Sequence, residues 1–198
     1  MALTIKNLSK YFGKKRLFSG FNYEFPETGM FAIQGDSGIG KTTLFRIIAG
    51  LDTNYGGELF GYDKNDISFS FQEYRLFDSL TALENITEIS FENADENDQK
   101  KAKELLLKLR FTEADMMLYP SELSGGMKQR ISFARAILRD SKILLLDEVT
   151  KELDTELCDI ISELIREAAK ARLVLLISHQ SRDAEKAGAT VINLQKAI

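Results

Sequence analysis

Short apolar runs separated by polar connectors recur along the whole chain and predict alternating strands and helices. Three runs near the start have strand length: Leu3–Ile5, Phe21–Phe25 and Met30–Ile33. Two later runs, Ile143–Leu146 and Leu173–Ile177, are continuous and apolar, as in strands buried on both faces. From residue 141 onward the order strand, helix, strand, helix, strand favours a parallel sheet flanked by helices.

Apolar residues at helical spacing predict the helices. The first helix places Leu44, Ile47, Ile48 and Leu51 on one face. Further helices are expected at Lys100–Leu109 and Glu156–Ala171, and residues 73–122 are expected to be mostly helical. The acidic run Glu92–Asp98 is interpreted as a solvated loop ahead of the Lys100 helix.

A complete G-x-x-x-x-G-K-T motif follows the Met30–Ile33 run directly. Its residues are Gly35, Asp36, Ser37, Gly38, Ile39, Gly40, Lys41 and Thr42. In a strand–loop–helix context, the glycines let backbone N–H groups surround phosphate oxygens at the helix N-terminus. Lys41 would reach the β- and γ-phosphates and the Thr42 hydroxyl would bind Mg²⁺. A chance glycine turn before a helix is the alternative, but the lysine, the threonine and both flanks favour a nucleoside triphosphate site.

A second glycine-containing segment begins at Leu123. Ser124 suits a helix N-cap, and one face of the helix carries Met127, Ile131, Ala134 and Leu138. Capping explains the serine but not Gly125 and Gly126, which each cost about 0.5–1 kcal/mol relative to alanine in a helix interior. Close approach of an anion such as a γ-phosphate to the helix start would explain them.

With these two motifs, the chain resembles the ATP-binding-cassette (ABC) family, whose signature is L-S-G-G-Q. Phe71–Gln72 resembles the family's glutamine loop, Ile143–Glu148 its Walker B strand with two terminal acids, and Leu153–Asp154 its D-loop. Ser178–His179 after an apolar strand resembles its switch histidine. The resemblance implies one α/β domain over residues 1–198. Its P-loop NTPase core would have a mostly parallel sheet, a small antiparallel β-subdomain and a helical signature subdomain inserted at about 73–138.

The resemblance also implies roles for individual residues. Asp147 would hold Mg²⁺ with Thr42 and Gln72, Glu148 would be the catalytic base, and His179 would sense the γ-phosphate. Phe12 resembles the aromatic that stacks on adenine; Tyr11 and a plain core aromatic are the competing interpretations. The full set of expected ATP contacts is Phe12, Gly35, Asp36, Ser37, Gly38, Ile39, Gly40, Lys41, Thr42, Thr43, Gln72, Ser124, Gly125, Gly126 and Asp154.

Partners follow from the same resemblance. Ser124 and Gly126 would contact ATP held by the opposite protomer, so the chain is expected to form an ATP-dependent homodimer or a heterodimer with another ABC subunit. A separate integral membrane subunit would hold the chain at the cytoplasmic face of the membrane. Tyr74, Leu76 and Phe77 could dock that subunit or simply pack within the chain.

The charge and hydropathy of the chain argue against nucleic acid as a partner and against a membrane-spanning segment. The net charge of −4 provides no overall basic field, so no nucleic acid is expected, and no apolar stretch approaches the ~20 residues needed to span a bilayer. Three hypotheses remain: the cytosolic ATPase subunit of an ABC transporter, an ABC ATPase of a non-transport complex, and an assembly switch that barely hydrolyses ATP. The third stays open because Val149 and Lys151–Glu152 depart from the family's usual proline and D-loop residues.

Overall fold

The computed structural model describes residues 3–151, 153–177 and 188–194, and these ranges form two sheets with flanking helices. The strands are β1 (Thr4–Phe12), β2 (Lys15–Glu24), β3 (Gly29–Gln34), β4 (Gly56–Phe60), β5 (Ile67–Ser70), β6 (Ile143–Asp147), β7 (Leu173–Ile177) and β8 (Thr190–Asn193). The helices are α1 (Lys41–Ile48), α2 (Glu84–Ser90), α3 (Glu96–Lys108), α4 (Glu113–Met116), α5 (Gly125–Leu138) and α6 (Thr155–Ala169).

The larger sheet is parallel and has the strand order β5-β6-β7-β3-β8. The smaller sheet is antiparallel and has the order β2-β1-β4. The α/β fold with a parallel core and a small antiparallel sheet, expected from the sequence, is therefore confirmed.

Side-chain alternation along the parallel strands divides the core into two clusters. On β6, Leu144 and Leu146 belong to the cluster that includes α2, α3, α5 and α6, whereas Ile143 and Leu145 belong to the cluster that includes α1 and the antiparallel sheet. Successive residues of a strand point to opposite faces, so an all-apolar strand is the sequence signature of a sheet covered on both sides.

Several strands and helices begin or end at other residues than the sequence predicted. β1 and β2 extend well beyond Leu3–Ile5 and Phe21–Phe25, because the hairpin pairs polar as well as apolar residues. The prediction that Leu51 lies on the apolar face of α1 is wrong: α1 ends at Ile48, and Leu51 is exposed. The helix expected between the last two strands falls outside the described residues.

The acidic run is not wholly a loop, which corrects another prediction. Asp95 is the N-cap of α3; its carboxylate accepts from the Asp98 backbone N–H, and the Asp98 side chain accepts in return from the Asp95 N–H. Glu96 and Asp98 thus form the first helical turn, where negative charge is favourable. In the 73–122 region, α-helix begins only at Glu84.

Asn85 organises the irregular segment that precedes α2. Its fully buried side chain accepts from the Phe77 N–H at 2.8 Å and donates to the carbonyls of Phe77, Leu80 and Thr81 at 3.1, 2.9 and 3.0 Å. These bonds substitute for the strand or helix partners that a buried irregular backbone lacks.

We predict that Asn85→Ala lowers the free energy of unfolding by about 2–4 kcal/mol, because it leaves several backbone groups of this segment without a partner. Urea denaturation measures the loss. Asn97→Ala, on the exposed face of α3, is the control and should change stability little. Equal stability of the two variants would contradict the role assigned to Asn85.

Candidate functional site

The loop between β3 and α1 has backbone conformations that strongly favour glycine. Gly35 has φ +145° and Gly40 has φ +114°. A Cβ at position 35 would lie 3.0 Å from the Leu194 carbonyl oxygen, and one at position 40 would lie 3.0 Å from Phe18 Cζ. The positive φ angles therefore favour glycine at both positions, and a Cβ at either one would make a tight contact.

Lys41, the first residue of α1, is buried within this loop. Its ammonium donates to the carbonyl oxygens of Gly35 at 2.8 Å and Asp36 at 3.1 Å. Gly40, the N-cap, provides no side-chain acceptor for the first turn of α1. The loop therefore combines a fixed cation with a helix N-terminus whose positive end faces outward, which suits an anionic ligand.

A cleft of about 400 Å³ opens over the loop. Its lining residues are Phe12, Lys15, Leu17, Ser37, Gly38, Gly40, Lys41, Thr42, Thr43, Gln72 and Glu148. The structure thus brings together eight of the residues predicted from the sequence to contact ATP or Mg²⁺, and adds the predicted catalytic Glu148.

Strand register explains how Gln72 and Glu148 reach the same cleft. β5 and β6 are parallel neighbours, and Ser70 pairs with Leu146. Gln72 and Glu148 each follow these paired positions by two residues, so they leave the sheet side by side at its carboxyl edge. β3 ends at the same edge, since Ile33 and Asp147 both pair with Ile177 of β7.

Glu148 is held in an uncommon backbone conformation, with φ +54°. Its N–H donates to the Ile177 carbonyl at 3.1 Å, and its own carbonyl accepts from Gln129 Nε2 at 3.2 Å. Its carboxylate is mostly buried and lies 3.5 Å from the Lys151 ammonium. These contacts fix the turn that presents the carboxylate to the cleft.

A smaller cleft of about 190 Å³ adjoins the first and shares Gln72 and Glu148 with it. The rest of its lining is formed by Tyr74, Gly125, Gly126, Gln129 and Lys151.

The start of α5 is capped by Ser124, as predicted: the Ser124 hydroxyl accepts from the Met127 N–H at 3.3 Å. A Cβ at position 125 would lie 3.1 Å from the Tyr74 hydroxyl, so this glycine is favoured partly by a contact within the chain.

Other predicted residues lie outside the larger cleft. Asp147 is buried at the end of β6, and Asp154 caps α6 by accepting from the Leu157 N–H at 2.9 Å. Asp154 also lies 3.5 Å from the Arg110 guanidinium. Ser124, Gly125 and Gly126 are likewise absent from the described lining of that cleft. The prediction for His179 falls outside the described residues.

The antiparallel hairpin contributes residues that the motifs did not identify. Lys15 and Leu17 line the cleft, and the Lys15 ammonium donates to the Gly38 carbonyl at 3.0 Å. A lysine just after the turn is the only local signal that could have indicated this contact. Phe12 lines the cleft and is 57% exposed, which excludes a core role, while Tyr11 is not among the described lining residues.

The segment after Gln72 is tied to α5. Arg135 donates to the carbonyls of Tyr74 at 3.3 Å and Arg75 at 2.9 Å, and burial lowers the pKa of its guanidinium from the ordinary value. Leu76 packs against the core, whereas Phe77 is 51% exposed. Packing within the chain therefore accounts for Leu76, and docking of a membrane subunit stays a prediction for Phe77.

The parallel α/β fold and the cleft over the glycine loop define a phosphate-loop protein. A family model described as "ABC transporter" matches residues 18–151, and the chain belongs to that family. Two solved structures support the assignment. The ATP-binding cassette MJ0796, in a dimeric post-hydrolysis state with ADP and Pi, aligns with a TM-score of 0.85 and 28% identity over 98% of this chain and 94% of that chain. A dimeric structure of MJ0796 as a bacterial ABC transporter cassette gives 0.86 and 29% over the same shares.

Curated relatives are import ATP-binding proteins by name. An aliphatic sulfonates import ATP-binding protein, SsuB of Bacillus cereus, is 39% identical over 166 residues, covering 78% of this chain and 64% of that protein. A probable sulfate/thiosulfate import ATP-binding protein, CysA of Chlorella vulgaris, is 36% identical over 167 residues, covering 79% and 71%. CysA of Neisseria meningitidis serogroup A is 38% identical over 183 residues, covering 81% and 51%.

The chain thus spans between about half and about seven tenths of the length of these relatives. Within the described ranges, no helix has the length and apolar character needed to cross a membrane.

Proposed function

We propose that this chain is the ATP-binding and ATP-hydrolysing subunit of an ABC transporter, driving a separate membrane protein. The observation that carries the proposal is the single cleft in which Lys41, Thr42, Gln72 and Glu148 meet. An anion-binding loop, oxygen ligands and a carboxylate base are the groups that phosphoryl transfer to water requires.

The cleft suits a nucleoside triphosphate. The glycine loop allows close approach of phosphate oxygens to its backbone N–H groups, and Lys41 and Lys15 supply positive charge beside it. Phe12 borders the same cleft and offers an exposed ring to a base. We infer that the phosphates lie over the loop and α1 while the adenine contacts Phe12.

We propose that Mg²⁺ binds beside the phosphates in the same cleft. No cluster of three His, Cys, Asp or Glu residues that could hold a metal occurs in the described part of the chain. Mg²⁺ usually keeps few protein ligands and binds phosphate oxygens and water as well, so Thr42 and Gln72 of the cleft would be its direct ligands. Asp147, buried at the end of β6 outside that cleft, would hold it through a water. When bound, the ion would neutralise charge that develops on the phosphates.

Glu148 is proposed as the general base. Its carboxylate lines the cleft and can accept a hydrogen bond from a water placed for attack on the γ-phosphate. The strained turn at Glu148 would hold that carboxylate in place. His179 is proposed to donate a hydrogen bond to the γ-phosphate, as the family resemblance implies.

The site is proposed to be completed by a second chain. Ser124 lies at the exposed N-terminus of α5 and is not among the described residues around the phosphate loop. A second protomer could bring its Ser124, Gly125 and Gly126 against the γ-phosphate, with two-fold symmetry creating two equal sites. Asp154 would contribute at the same interface. ATP would then stabilise a closed dimer that hydrolysis reopens.

A groove of about 310 Å³ is the proposed docking site for the membrane subunit. It lies beside the segment after Gln72 and includes the exposed side chains of Leu51 and Phe77, with Arg75 and Arg139 nearby. An apolar side chain on a cytoplasmic loop of the membrane protein would cover the exposed leucine and phenylalanine. The names of the relatives support an import system. We propose that the chain works at the cytoplasmic face of the membrane.

A second candidate is an assembly switch with very slow turnover. The contact of Lys151 with Glu148 favours it, because an ammonium beside the base competes with water for the carboxylate. Steady-state phosphate release by the purified chain distinguishes the two proposals.

We predict that Lys41→Ala weakens ATP binding by at least two orders of magnitude, because it removes the cation that faces the β- and γ-phosphates. Calorimetric titration with Mg-ATP measures the affinity. Lys14→Ala, in the exposed hairpin turn, removes the same charge outside the described lining of the cleft and should bind normally. Unchanged affinity of Lys41→Ala would overturn the assignment of the loop.

We predict that Glu148→Gln still binds ATP but hydrolyses it orders of magnitude more slowly, since the amide retains the shape and loses the basicity. Steady-state phosphate release measures the turnover.

We predict that Glu148→Gln forms a dimer with ATP and stays mostly monomeric with ADP, which light scattering measures. Adding Ser124→Arg to Glu148→Gln should abolish the dimer, because the bulky side chain blocks closure. A monomer at saturating ATP would show that the isolated chain does not form the sandwich unaided.

We predict that Phe77→Asp abolishes co-purification with the membrane subunit from detergent extracts while ATP binding is kept, because a charge replaces the apolar contact. Leu107→Asp, an exposed leucine on α3 outside the described groove lining, is the matched control and should co-purify. Normal co-purification of Phe77→Asp would exclude the groove as the docking site.

A further inference from the structure

Phe12 lies at the tip of a hairpin, where little packing restrains its ring. The turn between β1 and β2 contains only Gly13 and Lys14, and Phe12 pairs with Lys15 across it. The ring is 57% exposed. An exposed side chain that must present one ring face to a base loses conformational entropy on binding unless something already orients it.

Lys10, two residues before Phe12 on β1, is almost fully buried, at 4% exposure. Its ammonium lies 5.2 Å from the centroid of the Phe12 ring, over the ring face. Lysine is rarely buried to this degree unless it is paired. Phe12 lines the cleft and Lys10 is not among its described lining residues, so Lys10 contacts the ring without bordering the cleft.

Two fixed acceptors hold the ammonium. Lys10 Nζ lies 2.7 Å from Asp52 Oδ1 and 2.6 Å from the Asn54 carbonyl oxygen. Asp52 follows α1 closely, and its own N–H donates to the Arg46 carbonyl at 3.1 Å. The cation beside Phe12 is therefore anchored to the end of the same helix whose start forms the phosphate loop.

We propose that Lys10 is a positioning residue for nucleobase recognition, holding the Phe12 ring at a fixed distance from the phosphate-binding helix. The proposal rests on the proposed binding of ATP and adds the residue that orients the base contact. The cation attracts the electron-rich ring face and thereby selects one ring orientation. Lys10 acts only through Phe12, so it should matter for ligands that carry a base and not for the phosphates alone.

The same strand supplies a matched control. The Lys6 ammonium lies over the Phe60 ring at 5.0 Å, a geometry close to that of Lys10 and Phe12. Phe60 is exposed but does not belong to the described lining of the cleft. Removing the Lys6 charge therefore tests a lysine–phenylalanine contact that has no ligand beside it.

The experiment is calorimetric titration of the full chain with Mg-ATP and with inorganic tripolyphosphate, which has the phosphates and no base. Lys10→Gln removes the charge and keeps a polar side chain whose amide can donate toward Asp52 or Asn54. We expect Lys10→Gln to weaken ATP binding by about two- to fivefold, the size of a cation–π contact, with tripolyphosphate affinity unchanged. Lys10→Arg should restore ATP affinity, and Lys6→Gln should bind both ligands normally.

The Phe12→Ala background provides the decisive comparison. Phe12→Ala alone should weaken ATP binding by about tenfold through loss of base stacking, and Lys10→Gln should have no further effect on it. An equal loss for ATP and tripolyphosphate in Lys10→Gln, no loss at all, or a loss that persists in Phe12→Ala would overturn the proposal. Failure of the wild-type chain to bind either ligand would instead overturn the proposed function.

Discussion

The parallel register of the central sheet is the constraint on which the candidate site depends. β5, β6 and β3 end at one edge and are followed within two residues by Gln72, Glu148 and the glycine loop. β7 lies between β6 and β3 and provides the Ile177 carbonyl that accepts from the Glu148 N–H. A slip of one residue between β5 and β6 would move Gln72 relative to Glu148 and turn buried leucines toward the wrong face. The same all-apolar strands that form the core therefore also set the geometry of the cleft.

Hydrogen bonds from polar side chains then hold the two segments that follow β5 and β6 in place. Asn85 and Arg135 hold the irregular segment after Gln72, and the Ile177 carbonyl and Gln129 hold the turn at Glu148. These are buried or half-buried hydrogen bonds to backbone groups, which are costly to leave unmade. Rigid supports of this kind let the strained turn at Glu148 persist beside an open cleft.

Local signals in the sequence predicted the phosphate loop, its flanking strand and helix, and the buried strands β6 and β7, because each is encoded within about ten residues. The first turn of α3 was missed although Asp95 and Asp98 carry its capping pattern, since the acidic run was interpreted by its charge alone.

Contacts between residues far apart in the sequence leave no local pattern that could predict them. Lys10 and Asp52 are 42 residues apart, and a lysine between a serine and a tyrosine gives no indication that it is buried beside Phe12. The contact of Asp154 with Arg110, 44 residues away in the sequence, was equally hidden.

The central claim is that two chains share each catalytic site, one giving the phosphate loop and the other giving Ser124. The most direct measurement mixes Lys41→Ala chains with Ser124→Ala chains, each with little activity alone, and records ATP hydrolysis. Ser124→Ala removes the hydroxyl without placing a bulky side chain in the interface. A mixed dimer contains one site with an intact loop and an intact Ser124, so an equal mixture should recover roughly a quarter of wild-type turnover. A mixture as inactive as either variant would contradict the shared site.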